Sequence, residues 1–96
     1  MTKRVILPTV FKLNAIDRFV QEVVGRDGKP IDRDFVFDFQ KLDFIDGSGY
    51  TVLSNTIEWL LYKKIKPRFI NFSEIQREAI MYLDSCGFFD AISKNH

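Results

Sequence analysis

The residues of this chain that could do chemistry stand together at Asp46-Gly47-Ser48-Gly49, where a hydroxyl lies between two glycines with a carboxylate two positions ahead. As a nucleophile, Ser48 needs a base at hydrogen-bond distance. The only histidine is His96 at the C-terminus, where chains fray, so a hydrolase triad is not expected. Gly47-Ser48-Gly49 also lacks the glycine spacing and the lysine of a phosphate-binding loop. The plainest use of the run is turn chemistry, with Asp46 capping a helix and the glycines making the bend. Cys86 is the single cysteine, which falls short of a Cys/His zinc constellation and of an intramolecular disulfide framework. The chain is therefore read as a non-enzyme with no metal and no cofactor, suited to a reducing compartment.

The elements that must position this run emerge from the periodicity. Val5, Ile6 and Leu7 make a short apolar stretch stopped by Pro8, an edge strand because proline cannot donate to a ladder. Leu13, Ile16, Phe19, Val20, Val23 and Val24 recur at helical intervals, with Gly25 as a stop. After a polar connection with Gly28 and Pro30, the run Asp34 to Phe39 reads as a buried central strand. Leu53, Ile57, Leu60 and Leu61 define a second helix from Gly47 to about Lys64. Lys66 and Pro67 end it, and Arg68 to Phe72 supplies a short strand. Ser73 and Gln76 form a capping box for a third helix faced by Ile75, Ala79, Tyr82, Leu83 and Cys86, with Gly87 as its end. Strands alternating with helices predict a single α/β domain over 1–96, a small mostly parallel central sheet packed with three to four helices. In such sheets function gathers where strand carboxyl ends meet helix N-termini, which is where Asp46 to Gly49 falls.

Charge and hydropathy exclude several partners. Fourteen basic and thirteen acidic residues leave a net charge of +1, no field to gather the chain onto nucleic acid or anionic lipid. Lys63, Lys64, Lys66 and Arg68 read as a solvated helix end rather than a nucleic-acid patch. Met1 to Leu7 has too few apolar residues for a signal-peptide core or a membrane span, so a cytoplasmic location without membrane insertion is expected. Tyr50 and Trp59 lie off the main face of the second helix, either as interface anchors or as packing against the third.

Val36-Phe37-Asp38-Phe39 followed by Phe44-Ile45-Asp46-Gly47-Ser48-Gly49 resembles the central motif of STAS domains, the family of the anti-sigma factor antagonists. The usual pattern is a hydrophobic strand ending in Asp, a short loop, a hydrophobic pair and then Asp-Ser-Ser-Gly opening a helix; here Gly47 replaces the first serine. Asn71-Phe72-Ser73 to Ile80 looks like the family's last strand and the start of its last helix, and Leu83 to Phe88 like its Leu-x-x-x-Gly-Leu ending. The N-terminal third diverges, with one short strand where the family has two and Asn14-Ala15-Ile16-Asp17 in place of Gly-x-Leu-Asp.

The resemblance implies that Ser48 is the phosphoacceptor and that Asp38, Asp46, Gly47, Ser48, Gly49 and Tyr50 form the partner-binding edge. The implied partner is a histidine-kinase-like ATPase of the anti-sigma or serine-kinase type, bound while Ser48 is unmodified. Flanking glycines let a kinase bring its nucleotide close, and a helix N-terminus favours the phosphate by about 0.3–1 kcal/mol. A phosphate adds about −1.5 to −2 charge beside Asp46 and Asp38. At about 6 Å and an effective dielectric near 20, each like pair costs on the order of 3 kcal/mol. A fraction of that suffices to release a partner, since about 1.4 kcal/mol is tenfold in affinity. The alternative is a constitutive STAS-like scaffold subunit of a larger transport or stress-signalling complex, with Ser48 never modified.

Overall fold

The computed structural model describes residues 2–71 and 77–88. The expected cap at Ser73 and Gln76, together with Phe72, Ile75 and His96, lies outside the described residues. The chain runs β1 (Lys3–Ile6), β2 (Val10–Phe11), a single 3-10 turn (Leu13–Ala15), α1 (Ile16–Val23), β3 (Phe35–Asp38), β4 (Phe44–Ile45), α2 (Gly47–Tyr62), β5 (Arg68–Ile70) and α3 (Arg77–Ser85).

β3 is the spine. All four of its residues are buried, as a parallel strand covered on both faces requires, and it lies between β1 and β5 in an all-parallel sheet. β1 is at the edge, where its proline-stopped sequence puts it. Its buried Val5 alternates with exposed Arg4 and Ile6. Beyond Pro8 the N-terminal segment resumes its course beside the central one, with β2 pairing parallel to β4 in a two-stranded ribbon. The N-terminal third thus contains two strands where the sequence suggests one. β2 was hidden because it is two residues long and buries only Phe11.

Phe11, Phe19, Phe35, Phe37, Phe39, Phe69 and Phe88 share one core. Phe11 packs on Phe19 at 4.9 Å between ring centroids, Phe19 on Phe37 at 6.1 Å, and Phe37 stacks on Phe69 at 6.0 Å. α1 covers one part of this core with Phe19 and Val23, and α2 another with Leu53, Ile57 and Leu60.

The helix ends show two departures. α1 stops at Val23, not at Gly25, because Val24 turns extended and bridges Pro30. α2 ends at Tyr62, short of Lys64, which adopts a positive φ of 67°. Gly87, at φ 74°, succeeds α3 as a helix-ending glycine should. Among the described residues the architecture is the expected α/β domain with a mostly parallel sheet and three helices. Among the described residues no helix is long and apolar enough to cross a membrane.

Candidate functional site at the start of α2

β4 delivers the chain to the site. Ile45 is buried, and the next residue, Asp46, is extended at φ −109° and ψ −173°, the conformation of a helix N-cap. Asp46 Oδ1 accepts from the Gly49 N–H at 3.0 Å, and the Asp46 carbonyl receives the first helical bond from Tyr50 at 2.9 Å. The Asp46 N–H donates to the Phe11 carbonyl at 3.3 Å, which ties the turn to β2. Gly49 lies directly against that same carbonyl and is buried. Gly47 and Ser48 are exposed. Among the described residues neither the Ser48 hydroxyl nor Asp46 Oδ2 has a hydrogen-bond partner.

The glycines thus have different tasks. Gly49 is dictated by packing, while Gly47 has space, its missing β-carbon standing 3.5 Å from Tyr82 Oη. Tyr50 is half-buried and held to the end of α3. Its hydroxyl donates to the Cys86 carbonyl at 3.2 Å, and its ring meets Tyr82 and Phe88 edge-on at 6.5 and 6.2 Å. Packing against the third helix therefore accounts for Tyr50. Trp59 is half-buried as well, lines a cavity of about 410 Å³ with Val20, Val24 and Val52, and has Lys63 Nζ 6.0 Å from its ring centre. Arg68, from the same basic cluster, pairs with Asp34 at 3.1 Å.

Asp38 is placed otherwise than the sequence suggests. Its side chain is 1% exposed, closed to direct contact with a partner. The reason is its strand, because the end of a central strand is enclosed by residues of the two strands beside it. Arg4 of β1 donates to Oδ2 through Nε at 3.0 Å and through a second guanidinium nitrogen. Asn71, just past β5, donates to Oδ1 at 2.8 Å from a left-handed backbone with φ 64°. The Gln40 N–H reaches the same oxygen at 2.9 Å. Burial would raise the Asp38 carboxyl, but the bonds from Asn71, Arg4 and Gln40 and the Arg4 charge together hold it below the usual carboxylate range. With Arg4 against it, Asp38 offers a phosphate little net negative charge. Asp46, two residues before Ser48, has no ion-pair partner among the described residues.

Asp46, Gly47, Ser48 and the outer part of Tyr50 thus line the surface of the turn, Gly49 is buried against β2, and Asp38 is buried among Arg4, Gln40 and Asn71. Tyr82, expected on the core face of the third helix, also belongs here. It is half-buried, and its phenolic tip reaches the first turn of α2. Burial pushes this phenol up, followed by the neighbouring Cys86 side chain, Asp46 and Tyr50. The signal available in the sequence was its type, because a tyrosine on an apolar face carries a polar tip that must leave the core.

A second concavity of about 600 Å³ lies at the carboxyl end of β1 against α1, lined by Asn14, Arg18, Glu22 and Lys41 among others, and includes no residue of the Ser48 turn. Among the described residues no group of three or more His, Cys, Asp or Glu could hold a metal ion. Set against protein-family models, curated proteins and solved structures, the chain matches none of them.

Proposed function

We propose that the chain is a STAS-type binding module switched by phosphorylation of Ser48, its partner a histidine-kinase-like ATPase of the anti-sigma or serine-kinase type. The observation that carries this reading is the Ser48 hydroxyl, exposed and without a hydrogen bond among the described residues, on a turn held rigid by the Asp46 cap and by the approach of Gly49 to Phe11. A phosphoacceptor needs that combination of access and fixed geometry. In the transfer, Ser48 Oγ forms the new bond to the γ-phosphorus of the partner's ATP as the bond to ADP breaks. The hydroxyl proton passes to a carboxylate, a role for Asp46 Oδ2, the oxygen that the cap leaves unused.

The unmodified edge from Asp46 to Tyr50 docks the ATPase and displaces whatever that protein was holding. Phosphate on Ser48 stands beside the Asp46 carboxylate and presents the partner with concentrated negative charge, and the complex parts.

Binding of wild type, Ser48→Ala and Ser48→Asp to the cognate ATPase tests the reading. Wild type and Ser48→Ala are expected to bind alike, and Ser48→Asp at least about tenfold more weakly with unchanged melting, which corresponds to about 1.4 kcal/mol. Equal binding by all three would favour a constitutive scaffold.

A further inference from the structure

Tyr82 is the side chain that α3 brings to the first turn of α2. Its Oη lies 3.5 Å from the point where a β-carbon on residue 47 would stand, so Gly47 leaves the phenol facing the turn with no side chain between. The two phenols at this place are engaged differently. The Tyr50 hydroxyl donates to a carbonyl, that of Cys86 at 3.2 Å. The Tyr82 hydroxyl has the Cys86 side chain as a neighbour, and a thiol sulfur is a weak acceptor. A donor with only a weak acceptor beside it turns to a charged oxygen when one arrives, because hydrogen bonds to ionised acceptors are about twice as strong.

We infer that the Tyr82 hydroxyl is a phosphate ligand of the modified protein, donating to a phosphoryl oxygen carried by Ser48 and thereby tying the first turn of α2 to α3. The inference rests on the reading of Ser48 as the phosphoacceptor. It gives the modification a consequence beyond added charge. α3, joined to α2 here through the rings of Tyr82 and Tyr50, with Phe88 just past its end also on Tyr50, gains a polar link to the turn that a partner would contact.

Phosphoserine installed at position 48 by genetic-code expansion tests this without a kinase and whether or not the host modifies the residue. A donor to the phosphate favours its dianion, so phosphorus NMR should place the second ionisation about 0.5 pH unit lower with Tyr82 than in Tyr82→Phe. Asp46, Tyr50 and Cys86 also act on this turn, but they are the same in both proteins and cancel in the difference. In the Tyr82→Phe background, Gly47→Ser puts a hydroxyl on the β-carbon that would stand 3.5 Å from the phenol's position and should recover part of the shift. Equal ionisation in the two folded proteins overturns the inference and leaves the Ser48 reading standing. A shift that Gly47→Ser does not recover would trace to ring repacking and also overturns it.

Discussion

The carbonyl oxygen of Phe11 lies 2.1 Å from the point where a β-carbon on Gly49 would stand. The start of α2 therefore rests on the backbone of β2, and no side chain fits between them. Gly49→Ala must push helix and ribbon apart, and a loss of about 3 kcal/mol or more is expected in urea unfolding, at the upper end of overpacking costs. Gly47→Ala meets only an ordinary contact with Tyr82 and should stay within about 0.5 kcal/mol of wild type. Equal stability of the two variants would mean that the turn is not locked to β2.

Asp38 supports the sheet end through its charge. Asp38→Asn keeps the shape but removes the charge that Arg4 and Asn71 meet, and a loss of about 2 kcal/mol near neutral pH is expected. The folded carboxyl is held below its ordinary value, so its contribution is complete above the unfolded value of about 3.9 and fades as pH falls through that value toward the folded one. Asp34, held down by Thr2 and then by Arg68, adds to the same acid slope and is untouched by the substitution. Unfolding between pH 3 and 7 should therefore show wild type losing more stability on acidification than Asp38→Asn. Parallel slopes would remove Asp38 from the account.

The α/β order, the buried central strand and the Asp46 cap were legible because each has a local cause: alternation of periods, a continuous apolar run, an Asx residue before an apolar-periodic stretch. What stayed hidden depends on pairing at long range. β2 exists only because β4 lies beside it, and the burial of Asp38 comes from Arg4 and Asn71, far away in sequence. Nothing around position 38 announces those partners. The same holds for Gly49, whose necessity reads locally as a turn glycine and is in fact the approach of Phe11.

Asp46 has a capping role and a proposed chemical one, which Asn separates. Asn caps a helix about as well as Asp, so Asp46→Asn should stay within a few tenths of a kcal/mol, whereas Asp46→Ala should cost about 1 kcal/mol. Phosphoryl transfer from the cognate kinase to Asp46→Asn should slow by roughly 10²–10⁴, the contribution of a positioned acid–base group. Single-turnover transfer assays read this directly, and wild-type rates in Asp46→Asn would return the carboxylate to capping alone.

The central claim is that phosphate enters this chain at Ser48. Phosphosite mapping by mass spectrometry, on protein isolated from its host during growth and during starvation, tests it most directly. Phosphate on Ser48, with occupancy differing between the two states, is the expected result. Phosphate confined to Ser54, Ser73 or Ser85, or absent in both states, would contradict the account.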